Sequence, residues 1–254
     1  MYNAVARMMD EISSITGGNI YGAWLYGSAA LNDFRLGWSD IDLVVLVNGP
    51  LPEEQAERLL LLRQELLGKE PGNPYYRSFE GVIANLHEYR SRSFQRLVYW
   101  GTSGQRITGR YTPDPFSLLE LAKVGRPVYG GREWILAAPG REELLRAVRR
   151  HYDGIRRYAA QTDESIYSCG WLLDIARCIY TLRNDDIISK TQAGIWALEE
   201  HLFPDEAPLR KTIGIRRDPL SFKDREDIRL WLKGLGPVVQ SYADVLEREL
   251  AGLP

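Results

Sequence analysis

Apolar and polar residues follow two different patterns along the chain, and the change between them comes near residue 138. Before it, short apolar runs rich in β-branched residues alternate with segments of helical period. After Pro139 and Gly140, almost every segment has the helical period. The sequence therefore predicts two domains: residues 1–138 with helices and strands, and residues 139–254 with helices only.

The predicted elements are bounded mostly by glycine, proline or polar residues, which interrupt regular structure. In the first domain they are a helix over 4–14, a strand over 20–26, a short helix over 28–31, a strand over 40–47, a helix over 53–67, a strand over 77–86, a helix over 116–123 and an edge strand over 127–129. In the second domain they are four helices over 141–160, 166–183, 191–202 and 225–250. This order predicts an α+β protein that ends in an all-α helical bundle.

Composition excludes several classes of protein. Of the 254 residues, 44% are hydrophobic and 26% charged, which is typical of folded globular chains. Thirty-two basic and 34 acidic side chains leave a net charge of −2, so no global positive potential favours a nucleic acid. Two cysteines and three scattered histidines indicate neither a zinc site nor a disulfide framework. The acidic start and the absence of a long apolar run predict a cytoplasmic protein that does not bind membranes.

The most informative motif is Gly27-Ser28 followed by Asp40-Ile41-Asp42 in an apolar strand. Side chains alternate along a strand, so Asp40 and Asp42 share a face, with Cα atoms roughly 6.6 Å apart. Two carboxylates at this spacing suit Mg²⁺, whose remaining ligands in phosphoryl-transfer sites are phosphate oxygens and water. Gly27 permits a tight turn, and Ser28 opens a helix that can hold phosphate oxygens. The alternative is a polar strand edge beside a simple turn. The combination of the glycine-serine turn with the pair of aspartates favours the metal site.

Three runs of the sequence resemble a known family. GSAALNDFRLGWSDIDLVVLV is similar to the signature of the nucleotidyltransferase superfamily typified by DNA polymerase β. SFEGVIANLHEY and DIARCIYTLRNDDIISKTQAGIWALEEHL resemble the third-carboxylate strand and the C-terminal helices of the spectinomycin/streptomycin adenylyltransferases. The resemblance implies an N-terminal nucleotidyltransferase domain with a mixed sheet, followed by a helical substrate-binding domain. We expect the protein to be a monomer.

The resemblance also implies roles for individual residues. Ser28 and Ser39 would contact the triphosphate of ATP, and Glu80 falls where the family has its catalytic base. Glu80 is also the only carboxylate in the predicted strand over 77–86, and a carboxylate among apolar residues requires a reason. Arg177 and Lys190 match positions where the family places cationic contacts to the ATP phosphates, although taken alone each has the pattern of a surface charge.

The acceptor is less clearly indicated. The run over 162–169 lacks the tryptophan that accompanies an acidic residue in streptomycin-accepting enzymes, so the sequence favours a spectinomycin-like acceptor. Trp171 and Asp174, one helical turn apart, either form an aromatic and anionic wall for the acceptor or are core and surface residues. Asp185, and Asp186 beside it, either face a cationic substrate or lie in a surface loop.

These observations predict Mg²⁺-dependent transfer of AMP from ATP to a hydroxyl of an aminoglycoside-type antibiotic. Glu80 would contact the acceptor hydroxyl and take its proton. Two alternatives remain open. One keeps the chemistry but replaces the acceptor with a lincosamide or another small hydroxyl compound. The other is a toxin–antitoxin type of nucleotidyltransferase module that acts on a macromolecule.

Overall fold

The chain folds into two compact units in a computed structural model, which describes residues 1–101, 104–131, 134 and 136–252. The first unit comprises Met1–Ala30 and Asp40–Ala138, and the second comprises Leu31–Ser39 and Pro139–Pro254. The sequence placed the boundary between residues 138 and 139. The structure differs for Leu31–Ser39, which belongs to the helical unit because Asp33 forms a buried ion pair with Arg216 there.

The first unit is built on a mixed six-stranded sheet with the strand order β5-β4-β3-β2-β1-β6. Strands β2 and β3 are parallel, and every other neighbouring pair is antiparallel. The strands are β1 (Ile20–Leu25), β2 (Ile41–Val47), β3 (Phe79–Asn85), β4 (Leu97–Gly101), β5 (Gly104–Thr108) and β6 (Arg126–Tyr129). The helices are α1 (Tyr2–Ile15), α2 (Gly27–Ala30), α3 (Glu53–Lys69), α4 (Leu86–Ser91) and α5 (Pro115–Val124).

The central strands are apolar on both sides because helices cover the sheet. On one side, Trp24, Val44 and Val82 pack with Leu118 and Leu121 of α5. On the other side, α3 packs on β4, where the indole of Trp100 donates to the carbonyl of Leu59 over 3.1 Å. Burial on both faces explains the continuous apolar runs, which are typical of strands inside a sheet.

The hairpin of β4 and β5 and the short helix α4 were not predicted from the sequence. Strand β5 lies at the sheet edge, and its residues are partly or fully exposed, so its sequence GQRIT has no apolar alternation. The predicted edge strand over 127–129 corresponds to β6, which does lie at the opposite edge.

The second unit is helical, with α7 at its centre in contact with α6, α8, α9 and α12. Its helices are α6 (Arg141–Tyr158), α7 (Gly170–Asn184), α8 (Lys190–Glu199), α9 (Ala207–Arg217), α10 (Pro219–Phe222), α11 (Glu226–Lys233) and α12 (Gly236–Ala251). The single helix predicted over 225–250 is wrong, because the chain breaks at Gly234 and restarts at Gly236, where a side chain would overlap the carbonyl of Ala160. Within the described residues, no helix has both the length and the apolar character needed to cross a membrane.

Candidate active site

Parallel pairing of β2 and β3 brings two of the predicted carboxylates together. Asp42 is the second residue of β2, Glu80 is the second residue of β3, and the two are direct partners in the sheet register. Both are partly exposed, whereas their neighbours Ile41 and Phe79 are fully buried. Asp40 lies immediately before β2 and is also partly exposed. The starts of two neighbouring strands therefore present three carboxylates at one end of the sheet.

Gly27 lies against the carboxylate of Asp42. Its φ is +60°, a left-handed conformation that glycine adopts without strain, and a Cβ there would overlap Oδ2 of Asp42. Ser28 follows in the same turn, with its Oγ 3.5 Å from the carbonyl oxygen of Asp40. The structure thus brings Gly27 and Ser28 to the predicted metal-binding aspartates, and it explains why position 27 excludes any side chain.

Three residues near Glu80 were missed by the sequence analysis. The hydroxyl of Tyr99 donates to Oε1 of Glu80 over 3.2 Å, and the guanidinium of Arg106 lies 4.2 Å from the centre of the Tyr99 ring. Arg63 of α3 donates to the carbonyl of Phe79 over 2.6 Å. Burial lowers the pKa of Arg63, and the negative charges of Glu80 and Asp40 oppose that shift. These residues lie on α3, β4 and β5, far from the motif in sequence, so no local signal identified them.

The donor set at this end of the sheet fits Mg²⁺ on chemical grounds. Among the described residues, no group of three or more His, Cys, Asp or Glu side chains is arranged to hold a metal ion. Magnesium is usually bound through one or two carboxylates together with water and substrate phosphates, rather than by a cage of protein ligands. Asp40 and Asp42 supply such oxygen ligands, and the Asp42 carboxylate occupies the space that a side chain at position 27 would fill.

In the second unit, Asp174 holds the two predicted phosphate-binding cations. Its Oδ1 and Oδ2 lie 2.9 and 3.1 Å from Nζ of Lys190, and its Oδ1 lies 3.5 Å from a guanidinium nitrogen of Arg177. Burial acts to raise the pKa of Asp174, but Lys190 and Arg177 outweigh it and hold the pKa below its ordinary value. Asp174 was predicted to contact the acceptor, whereas its carboxylate is engaged by these cations.

A cavity of about 580 Å³ lies beside the start of α7 in the second unit. Its lining residues combine aromatic rings with polar groups and are Tyr158, Gln161, Thr162, Asp163, Ser165, Tyr167, Ser168 and Trp171. Hydrogen bonds from the Ser168 hydroxyl (2.7 Å) and the Ser165 amide (2.9 Å) lower the pKa of Asp163 and keep it charged. Of the predicted acceptor-binding residues of this unit, Trp171 lines this cavity, whereas Asp174 and Asp185 do not.

Two further predicted residues have other partners. Asp185 ends α7 with a φ of 49°, and its backbone amide donates to the carbonyl of Thr181, while its carboxylate forms an exposed ion pair with Arg141 over 2.6 Å. Ser39 is buried, and its Oγ accepts a hydrogen bond from the Arg35 amide over 3.0 Å. Ser39 belongs to the second unit together with the rest of Leu31–Ser39. Its contact with a triphosphate therefore remains a prediction.

Comparisons with known proteins address both parts of the chain. Residues 5–80 match the family model for the nucleotidyltransferase domain, and residues 135–210 match the model for the C-terminal domain of aminoglycoside adenylyltransferases. The chain therefore combines a nucleotidyltransferase domain with a C-terminal domain of the aminoglycoside adenylyltransferase type. This finding confirms the resemblance inferred from the three sequence runs. It also confirms that the chain is a nucleotidyltransferase enzyme, with the predicted order of a mixed-sheet domain and a helical domain.

Curated relatives and a solved structure extend the family comparison. Spectinomycin 9-adenylyltransferases of Staphylococcus aureus, including those of strains Mu50 and N315, are 24% identical over 215 residues, which cover 80% of this chain and 80% of theirs. A crystal structure of spectinomycin adenyltransferase from Enterococcus faecialis, with ATP and spectinomycin, matches 95% of this adenylyltransferase and 97% of that chain. Its TM-score is 0.57 at 18% identity, so it supports the fold.

Proposed function

We propose that this adenylyltransferase transfers AMP from ATP to a hydroxyl group of a spectinomycin-like antibiotic and releases pyrophosphate. The observation that carries the proposal is the placement of the Asp42 carboxylate against Gly27 and beside Glu80 at the start of two parallel strands. The spectinomycin adenylyltransferases among its relatives support the choice of acceptor. The proposal has three parts: nucleotide binding, proton removal and acceptor binding.

Nucleotide binding depends on Asp40, Asp42 and the Gly27-Ser28 turn. The two carboxylates would hold Mg²⁺ together with oxygens of the triphosphate, and the bound ion would neutralise charge on the phosphoryl group that is transferred. Gly27 makes space for the Asp42 carboxylate, and the Ser28 hydroxyl lies at the same turn, where it can donate to a phosphate oxygen.

Glu80 removes the proton of the acceptor. The acceptor oxygen forms a bond to the α-phosphorus of ATP, the bond from that phosphorus to the pyrophosphate oxygen breaks, and the hydroxyl proton moves to the Glu80 carboxylate. General base assistance contributes roughly 10²–10⁴-fold to a rate. Glu80 suits this step because it is partly exposed beside Asp42.

Lys190 and Arg177 stabilise the negative charge of the phosphates. Asp174 lies between them and fixes both side chains, and the three groups together carry a net positive charge that favours a polyanion. Lys190 is also the first residue of α8, and its preceding residue Ser189 caps that helix through a hydrogen bond from the Gln192 amide. The lysine therefore extends from a fixed backbone.

The acceptor binds in the cavity beside the start of α7. Asp163 supplies a charged carboxylate there, and Tyr158, Tyr167 and Trp171 supply aromatic faces. Tyr158 and Tyr167 are 64% and 58% exposed, which is unusual for large aromatic side chains and typical of binding surfaces. Protonated amino groups of an antibiotic bind carboxylates and aromatic rings, so this lining suits a cationic amino sugar or aminocyclitol.

The proposal is tested by measuring pyrophosphate release with ATP, Mg²⁺ and each of spectinomycin, streptomycin and a lincosamide. We expect release with spectinomycin. Asp163→Asn should raise the KM for spectinomycin at least about tenfold, as expected for loss of a charge-assisted contact, while the KM for ATP stays unchanged. Asp224→Asn is the matched control, since Asp224 is a highly exposed carboxylate of the same unit. Release with the lincosamide alone, or with none of the three, would contradict the proposed acceptor.

A further inference from the structure

Tyr99 reaches Glu80 across the sheet. Strand β4 runs antiparallel to β3, with Tyr99 opposite Val82. Paired residues share a face, as do residues two apart on one strand, so Tyr99, Val82 and Glu80 lie on the same face of the sheet. The phenol hydroxyl of Tyr99 donates a hydrogen bond to Oε1 of Glu80 over 3.2 Å.

The Tyr99 ring is held in place by its neighbours. Arg106 is the partner of Tyr99 on β5, and its guanidinium lies 4.2 Å from the ring centre, within the range of a cation–π interaction. The ring of Tyr111 lies 6.1 Å away, centre to centre. Contacts on the ring therefore restrict the direction in which the hydroxyl extends.

Gly101 provides the space that the phenol occupies. A Cβ at this position would overlap the hydroxyl oxygen and Cζ of Tyr99. Gly101 is two residues after Tyr99 on the same strand, so a side chain there would lie on the same face as the phenol. The backbone at position 101 does not have a positive φ, so its conformation does not require glycine. The close approach of the Tyr99 phenol explains why this position has no side chain.

We infer that Tyr99 is a positioning residue that fixes the carboxylate of the catalytic base Glu80. The inference rests on the proposed function, in which Glu80 takes the proton of the acceptor hydroxyl. With Oε1 engaged by Tyr99, the carboxylate is fixed in one rotamer, and Oε2 is the oxygen that faces the acceptor hydroxyl. Tyr99 itself exchanges no proton with the substrate.

The kinetic test separates positioning from nucleotide binding. Tyr99→Phe removes the hydroxyl and keeps the ring. It should lower kcat for AMP transfer to spectinomycin about tenfold, as expected for a hydrogen bond to a charged group, with the KM for ATP changed less than about twofold. Gly101→Ala, which keeps Tyr99 but displaces its phenol, should lower kcat similarly. Tyr129→Phe is the control, since its hydroxyl contacts Ser13 on α1.

The decisive comparison is made in the Glu80→Gln background. If Tyr99 acts through the Glu80 carboxylate, Tyr99→Phe should cause little further loss in Glu80→Gln. The same tenfold loss in both backgrounds, or wild-type kcat in Tyr99→Phe, would overturn the inference. If Tyr99→Phe lowers the thermal stability but does not lower kcat while leaving the KM for ATP unchanged, Tyr99 has a structural role instead. That result would also overturn the inference.

A measurement without substrate separates this inference from the proposed function. In protein labelled with ¹³C at glutamate carboxyl carbons, the resonance absent from Glu80→Gln identifies Glu80. Tyr99→Phe and Gly101→Ala should each shift that resonance, and Tyr129→Phe should not. If no acceptor is adenylylated, the proposed function fails, yet this resonance still decides whether Tyr99 fixes Glu80. An unshifted resonance in Tyr99→Phe would show that it does not.

Discussion

The buried ion pair between Asp33 and Arg216 makes a large contribution to stability that a single substitution can reveal. Their side chains are only 5% and 3% exposed, and a guanidinium nitrogen of Arg216 lies 2.9 Å from Oδ2 of Asp33. Thr191 adds a hydroxyl hydrogen bond of 2.8 Å to Oδ1 and an amide hydrogen bond of 3.2 Å to Oδ2. The carboxylate therefore satisfies three donor groups on α8 and α9.

Asp33→Asn keeps the volume of the side chain but leaves the guanidinium of Arg216 buried without the carboxylate to which it is hydrogen-bonded. Removing one partner of a buried pair costs about 3–5 kcal/mol. Urea unfolding followed by tryptophan fluorescence should show this loss in the free energy of unfolding. In the double variant Asp33→Asn/Arg216→Met, the loss should be smaller than the sum of the two single losses, because the uncompensated charge is gone.

An exposed pair of the same unit provides the control. Asp227 and Arg225 are 61% and 52% exposed and lie 2.7 Å apart, so solvent screens their attraction. Asp227→Asn should leave the urea midpoint unchanged. If Asp33→Asn is no more destabilising than Asp227→Asn, or if the losses of the double variant are additive, the account of Asp33 as the anchor of Leu31–Ser39 is refuted.

Three further predictions concern the site and its surroundings. Gly27→Ala should lower the rate of AMP transfer at least about 100-fold, because the new methyl group displaces the Asp42 carboxylate. A loss of this size is expected when a group of the active site is misplaced by roughly 1 Å. Near wild-type turnover would contradict this prediction. Burial raises the pKa of Cys169 to about 12, so a thiol reagent at pH 8 should label it only after unfolding, and rapid labelling of the native protein would contradict its burial. Because the folded-state pKa of Asp174 is lowered, its stabilising contribution is present above the ordinary aspartate pKa of about 4 and is lost as pH falls through the folded-state value. Asp174→Asn should therefore be less stable than wild type at pH 7, and the difference in urea midpoint should shrink below about pH 4; a constant difference would contradict the ion pair with Lys190.

Local sequence pattern predicted much of the fold because the central elements carry strong local signals. The apolar run of β2 and the helix that begins after Pro52 are examples, since each is bounded by residues that interrupt regular structure. Strand β5 lacked such a signal because an edge strand exposes most of its side chains. The break between α11 and α12 depends on the close approach of Gly236 to Ala160, which no local pattern encodes.

The candidate site likewise has one part that the sequence pattern predicted and another part that depends on tertiary structure. Gly27, Asp40 and Asp42 were identified from spacing alone, because one turn and one strand place them together. The register that pairs Asp42 with Glu80 depends on the parallel sheet, and the contact of Tyr99 with Glu80 depends on a third strand. The tertiary structure also determines whether a charged side chain contacts a substrate or another residue of the protein, and the local sequence does not show this.

The most direct test of the account is the binding of Mg²⁺ and a non-hydrolysable ATP analogue, measured by isothermal titration calorimetry. Wild type should bind the analogue at least about 100-fold more tightly with Mg²⁺ than without it, a difference of about 2.7 kcal/mol. Asp40→Asn and Asp42→Asn should lose this dependence on the metal, whereas the control Asp10→Asn, at an exposed position of α1, should retain it. Metal-dependent binding that is unchanged in both Asp40→Asn and Asp42→Asn would contradict the account.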